Sequence, residues 1–398
     1  MNIGLVTLDI KPGGAQRLVL EEARHFEERG HDVTLIPITD DKEFRTSIGV
    51  DEVRVREFPS IQDRSFPVIN RPFEISRLRS ILLEENLDLI ISHYHDTDVY
   101  LATRMTDMRY SCHINGSPFW FSFEGPISAY RNKSGYEAVI NAVAGHSEFV
   151  ALDDYPTHKR LYQLGRERLR ARALQESTVV TTLTDRVASE LDFCYGVEPE
   201  VIRPGVGEEW FEMDIEASPQ DLPGVTTDHA ICNIGRLDER KRNALLIRAF
   251  AGIAKDRDDV TLIIGGTGSE GDTLQALASD LDIAESVVFP GYIPEEELPE
   301  YYAASDILAH PAWVAYGLVP LEAYVLGTKV AISTDTLVKE VIAGEPGVEV
   351  IAPSVSEWEV KLRELLSASN HIPNKSAVPT WTQYFENKYD VMINNGVF

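Results

Sequence analysis

Residues 1–36 read MNIGLVTLDIKPGGAQRLVLEEARHFEERGHDVTLI. An apolar run at 3–8 is followed by a helical pattern at 15–29, by Gly30, and by a second apolar run at 33–36. Two short apolar runs joined by an amphipathic helix form a β-α-β unit, the connection that parallel strands require. Glycine is the residue that ends a helix with least strain, so Gly30 marks the stop. The chain therefore opens as a parallel α/β sheet.

The same alternation continues outward from that unit. Strands are expected at 87–92, 110–114, 178–182 and 200–202, with helices at 73–85, 99–105 and 158–176. After Arg203-Pro204-Gly205 comes a polar stretch to about residue 228 that contains Pro219 and Pro223-Gly224, which reads as a linker. A second series then begins, with strands at 230–234, 260–264, 286–289, 307–310 and 329–333 and helices near 243–255, 272–281, 298–304 and 318–326. The expected fold is α/β: two facing Rossmann-like domains, with the carboxyl ends of their strands around a central cleft. The boundaries are 1–206 for the first domain, 207–228 for the linker and 229–375 for the second domain. An aromatic-rich, amphipathic segment at 376–398 should form a last helix that crosses back onto the first domain.

Length agrees with two domains, since 398 residues exceed what one ordinary core organises. The 64 acidic side chains outnumber the 37 basic ones, for a formal charge of −27. A surplus of this sign repels phosphate backbones, so nucleic acid is excluded as a partner. It also gives a halophilic reading, in which dissolved salt screens the self-repulsion. The melting temperature should then rise along a potassium chloride series begun at low ionic strength, and a flat or falling series would remove that reading. Cys112, Cys194 and Cys232 are odd in number and widely spaced, which suits reduced structural thiols. The first residues read as a strand, and no apolar stretch approaches 18 residues, so the expectation is a cytoplasmic protein.

Four loci carry chemistry. The first is Lys11-Pro12-Gly13-Gly14-Ala15, where a glycine pair opens a helix. Its backbone amides suit a phosphate or a sugar hydroxyl, although a tight turn explains such a pair equally well. The second is Ile234-Gly235-Arg236-Leu237-Asp238-Glu239-Arg240-Lys241, a strand end followed by cations. A departing pyrophosphate gathers negative charge, and fixed Arg and Lys donors stabilise it, Arg236 and Lys241 being the candidates. The third is the glycine turn Gly265-Gly266-Thr267-Gly268, which with Gly271 satisfies GxGxxG formally. A dinucleotide reading fails there, because the acidic residue expected about 20 positions on is replaced by Phe289-Pro290-Gly291-Tyr292. The fourth runs from Ala309 to Ala323, where His310-Pro311 ends a strand and Glu322 stands in the first turn of an apolar helix. A carboxylate so placed can accept both hydroxyls of a ribose.

Taken in order, these residues resemble the donor domain of the GT-B retaining glycosyltransferases of glycosyltransferase family 4, across about 230–335. Weaker similarity covers the Gly13-Gly14 loop, the strand end at His113, the Val201–Val206 strand and the final helix. The resemblance implies that Arg236 and Lys241 hold the donor diphosphate, with Glu322 on the ribose and Gly291 and Tyr292 at the base. It implies that Gly317, Leu318 and Val319 meet the distal phosphate through their amides. Gly13, Gly14 and Gly266 would lie near the donor, and His113 would line the reaction centre from the acceptor side. No cofactor is implied, the nucleotide-diphosphate sugar being a co-substrate, and no metal is read at His93 and His95, which as alternate residues of a strand end should point apart.

One position departs from the family pattern. Its two glutamates are separated by seven residues, and counting back from Glu322 places the first at Val314. Valine cannot accept a hydrogen bond, so Val314 becomes a specificity position, and a neighbour such as His310 or Tyr316 is a candidate for the missing contact. The implied function is transfer of a sugar, a hexose, to a glycan or polyprenyl-linked glycan. The alternatives are a non-catalytic nucleotide-sugar-binding protein and a nucleotide-sugar epimerase. Peripheral membrane contact through the basic stretch 159–172 competes with a plain solvated helix face there.

Overall fold

The computed structural model describes residues 1–58, 67–118, 157–314, 316–369 and 371–398, and only the backbone of 67–71 and 157–164. The chain divides into two compact units, Met1–Ile202 with Phe385–Phe398, and Arg203–Tyr384.

The first unit holds seven strands: β1 (Asn2–Val6), β2 (Asp32–Ile36), β3 (Arg54–Val55), β4 (Leu89–His93), β5 (Arg109–Ile114), β6 (Val180–Thr182) and β7 (Glu200–Val201). Their order across the sheet is β3-β2-β1-β4-β5-β6-β7, with every pairing parallel. Central strands of a parallel sheet are covered on both faces, and all five residues of β4 are buried accordingly. The helix Gly14–Glu28 covers the sheet with Leu18, Val19, Ala23 and Phe26, the three-and-four spacing of one helical face. Glu22 lies in that same face and is wholly buried. The last helix, Trp381–Asn394, starts in the second unit, where Trp381 and Tyr384 are buried, and its part in the first unit buries Phe385, Lys388 and Met392. Its Met392 joins the core of the first unit beside Ile3, Leu5 and Val19.

The second unit holds β8 (His229–Ile234), β9 (Val260–Gly265), β10 (Val287–Gly291), β11 (Ile307–His310), β12 (Lys329–Ser333) and β13 (Val348–Ile351). These are ordered β10-β9-β8-β11-β12-β13, again all parallel. Both units are Rossmann-like sheets with the same winding.

The stretch 207–228 carries a short helix, Glu208–Glu212, and the capped turn Pro219–Asp221, and it lies within the second unit. Helices Asp185–Tyr195 and Val355–Ser367 and strands β3 and β13 add to the elements read from the sequence. All three cysteines are buried thiols. No helix among the described residues is long and apolar enough to cross a membrane.

Candidate functional site

In each sheet the winding reverses once, between β1 and β4 and between β8 and β11. Loops leaving such a pair of strands diverge, and the opening at their carboxyl ends is where α/β sheets take ligands. Gly13 and Gly14 follow β1, Arg236 and Lys241 follow β8, and His310 ends β11 with Gly317 beyond it, at these two places; His113 on β5 lies one strand away, and Gly291 and Tyr292 at β10 lie two strands away.

In the second unit, β8 runs into Gly235 and a single tight turn, Glu239–Lys241. The turn separates three successive cations. Arg242, in left-handed geometry, ion-pairs with Asp335 at 2.6 Å and so ties the turn to the end of β12. Arg240 stays at the surface, 3.5 Å from Asp238. Lys241 turns inward, and a β-carbon placed on Gly235 would stand 3.7 Å from its Cε and Nζ. Burial, aided by the charges of Arg236 and Arg240 and opposed by Asp238, brings its pKa down to about 8. Arg236 is extended into solvent with its side chain 72% exposed, 3.8 Å from Asp238. The two cations assigned to a diphosphate thus share one carboxylate, one of them held beneath the loop and the other free to move onto a ligand.

From β11 the chain passes His310, buried at the strand end. A β-carbon on Gly317 would lie 3.6 Å from its Nε2 and 3.3 Å from Val314 Cγ2, so these three residues crowd one point. Gly317 has φ +92, which favours glycine there. Burial first, and the charge of Lys241 second, hold the His310 imidazole neutral. Neither of its ring nitrogens has a hydrogen-bond partner among the described residues. Val314 is fixed by its bridge to Thr336, whose hydroxyl donates to the Ala312 carbonyl at 2.6 Å. Tyr316 donates its hydroxyl to the Pro204 carbonyl at 2.6 Å. Of the two neighbours considered for the contact missing at 314, Tyr316 is committed elsewhere and His310 stands at the place. Ala315, inside the same motif, lies outside the described residues.

Leu318 caps the helix Val319–Val325, which carries Glu322 in its first turn. Glu322 is only 8% exposed and faces Tyr302, whose phenol is pushed up by burial and then by this carboxylate. Gly266 has φ +120 and donates its N–H to the Gly291 carbonyl at 2.6 Å. A β-carbon there would fall 1.9 Å from the Gly235 carbonyl oxygen. Gly266 therefore has a packing reason of its own, in that it lets the ends of β8, β9 and β10 meet. Gly291 has open space around its Cα, and Tyr292 beside it is 65% exposed.

In the first unit Gly13 caps the helix Gly14–Glu28 in extended geometry, and a β-carbon added at Gly14 would meet nothing within 4 Å. His113 is wholly buried on β5, paired across the sheet with His93 of β4, their ring centroids 5.0 Å apart. Its Nδ1 lies 2.7 Å from the Thr181 hydroxyl, and burial holds the ring neutral. It lines a cavity of about 280 Å³ together with Tyr94, Asp96, Asn115 and Arg170.

One sequence reading changes here. His93 and His95 do point apart, but alternate residues of one strand share a face, so alternation is not the reason. Tyr94, with φ +74, turns the chain between them, sending His93 to Glu22 and His95 to Asp98. The basic stretch 159–172 holds paired cations where its side chains are described. Its side chains at 159–164 lie outside the described residues; beyond them, Arg170 pairs with Asp96 at 2.8 Å and Arg166 with Glu167 at 3.6 Å. His310 was read from the sequence as a strand end and as a neighbour of Val314, but not as a site residue in its own right.

Two family models match the chain: Glycosyltransferase Family 4 over residues 12–210, and Glycosyl transferases group 1 over 214–377. Among curated proteins it is 28% identical, over 264 residues, to the GDP-mannose-dependent alpha-(1-6)-phosphatidylinositol monomannoside mannosyltransferase of Mycolicibacterium smegmatis, covering 62% of this chain and 66% of that one. It is 30% identical over 205 residues to a D-inositol 3-phosphate glycosyltransferase of Mycobacterium sp. (strain JLS), covering 49% and 46%. The chain thus spans about half to two thirds of the length of these curated relatives. Anabaena HepE in complex with UDP superposes with TM-score 0.72 at 16% identity, over 99% of this chain and 100% of that one. A glycosyltransferase from Rickettsia africae gives 0.70 at 14% identity, over 99% and 98%. At these identities the structural likeness shows the fold.

Proposed function

The chain belongs to glycosyltransferase family 4, and from that premise we propose that it transfers a hexose from a nucleoside diphosphate sugar to a glycan or lipid-linked glycan, with retention at the transferred carbon. The observation that carries this reading is the meeting of Lys241, Arg236, His310 and Gly317 at the winding reversal of the second unit. A half-buried ammonium and an exposed guanidinium beside one carboxylate suit a diphosphate, whose charge grows as the sugar leaves. Glu322 would serve the ribose, Gly291 and Tyr292 the base, and Leu318 and Val319 the distal phosphate. His310 would take the sugar hydroxyl that an acidic residue at 314 would otherwise hold. Gly13, Gly14 and His113 would serve the sugar and the acceptor from the first unit.

Relatives named for phosphatidylinositol monomannoside and D-inositol 3-phosphate support an acceptor of polyol or glycan type. No cofactor is needed beyond the donor itself. The enzyme would work in the cytoplasm, peripherally on the membrane if its acceptor is lipid-linked. A second reading, a binding protein without turnover, is favoured by Val314 alone.

A panel of nucleoside diphosphate sugars tests both readings. One donor should raise the melting temperature through preferential binding to the folded state, and that donor should turn over when a glycan acceptor is supplied. Saturable binding without transfer or hydrolysis would favour the binding protein. No shift with any member would overturn the donor site.

A further inference from the structure

In the first unit a line of buried polar groups, Lys388, Glu22 and His93, that the proposed chemistry does not use leads to His113. Lys388 Nζ lies 2.6 Å from Glu22 Oε1, and His93 Nε2 lies 2.9 Å from Glu22 Oε2. The His93 ring is 5.0 Å from that of His113, and His113 is tied to Thr181. Glu22, His93 and His113 are 0% exposed and Lys388 2%. Glu22 and Lys388 occupy positions in the apolar faces of their helices where packing alone would place a leucine.

A buried charge requires a buried counter-charge, and each removed partner leaves the other uncompensated. With Lys388 present, one cation balances one carboxylate, and His93 can meet Glu22 as a neutral donor. Without it, Glu22 would face only His93, and the pair would be forced to take up a proton.

We propose that Lys388 is a positioning residue, which by balancing Glu22 keeps His93 neutral, so that the uncharged His113 at the strand ends has no cationic ring beside it. This rests on the reading of His113 as part of the transfer site. The sugar gains positive charge as its bond to the leaving group breaks, and a cationic His93 one ring away would oppose it across a low-dielectric interior. Three groups set the state of His93: Glu22 from the helix Gly14–Glu28, Lys388 from the last helix and His113 from β5. Burial lowers its proton affinity, Glu22 raises it and Lys388 lowers it. Burial pushes the Glu22 carboxyl up, but Lys388 and then His93 outweigh it and hold the group down at about 2. The charge of Glu22 also reaches His25, whose pKa is brought to about 4 chiefly by burial.

The test is ¹⁵N-histidine NMR on the full chain, comparing wild type with Lys388→Met and with the double variant Glu22→Gln/Lys388→Met. His93 should show one protonated nitrogen at neutral pH in wild type. In Lys388→Met the Glu22–His93 pair should carry an extra proton, and in the double variant His93 should return to the wild-type pattern. The retained proton also gives a pH signature. A pair whose folded pKa is raised is stabilising below its unfolded value and loses that contribution as pH rises through the folded one. Lys388→Met should therefore fall further below wild type in melting temperature as pH rises above neutrality, and the double variant should not. A loss equal at all pH with an unchanged His93 spectrum would overturn the proposal.

The NMR and stability arms need no substrate, so they stand even if no donor turns over. Where transfer is measurable, kcat should drop about tenfold in Lys388→Met and recover in the double variant, with KM for the donor little changed. A changed His93 with unaltered kcat would overturn the link to His113.

Discussion

Replacing Lys241 with alanine should lower kcat/KM by about 100-fold or more while leaving the fold intact. Removing one preorganised donor from developing charge typically costs about 2.7 to 4 kcal/mol of transition-state stabilisation. The structure sharpens the second half of that expectation. Lys241 is held near Arg236 and Arg240 at a depressed pKa of about 8, the mark of a cation kept where neither burial nor its basic neighbours favour it. Deleting it relieves that conflict, so the melting temperature should hold or rise as activity falls. The pH dependence follows with the same sign. The free enzyme holds the lysine proton below about pH 8 and loses it above, so kcat/KM for wild type should decline on the alkaline side at that point. Steady-state rates for both proteins against pH, with thermal unfolding alongside, decide the matter. A variant within a factor of two of wild type would remove Lys241 from the diphosphate site.

Gly266→Ala should act through the fold, destabilising the second unit by about 3 kcal/mol or more. Two independent features set that size. The residue has φ +120, a conformation that L side chains rarely adopt. The added carbon would also stand 1.9 Å from the Gly235 carbonyl oxygen, which is backbone and has no rotamer to retreat into. Gly271→Ala is the matched control: its added carbon would meet only Leu237 Cδ1, at an ordinary 3.8 Å. It sits in the first turn of a helix and should stay within about 1 kcal/mol of wild type. Urea unfolding of the three proteins measures both. Equal stability in Gly266→Ala would show that the three strand ends do not depend on this contact.

The pattern of buried runs made the central strands legible, because a strand covered on both faces is predominantly apolar. Strand β3 has two residues and β13 only one fully buried one, so neither carries that signal. The helix Val355–Ser367 does carry it, in Trp358, Leu362 and Leu365, and was readable by spacing. Loop cations were legible as a cluster, but not the division of labour among Arg240, Lys241 and Arg242, which depends on one left-handed residue and on Asp335, 93 positions away. Glu22 and Lys388 were each visible as a charge in an apolar helical face. Their pairing was not, since 366 positions separate them and only the winding of the sheet brings them together.

The first unit is discontinuous in the chain, its last segment arriving from beyond the whole of the second. During synthesis, Glu22 leaves the ribosome long before Lys388 exists. A nascent first unit that closed early would enclose an unneutralised carboxylate in the face that Leu18 and Phe26 pack. It must either hold a proton there or leave the helix Gly14–Glu28 loosely docked until the closing helix is made. The sheet made first is thus the one covered after the second unit has been made, and that late cover is locked by an ion pair as well as by apolar contacts.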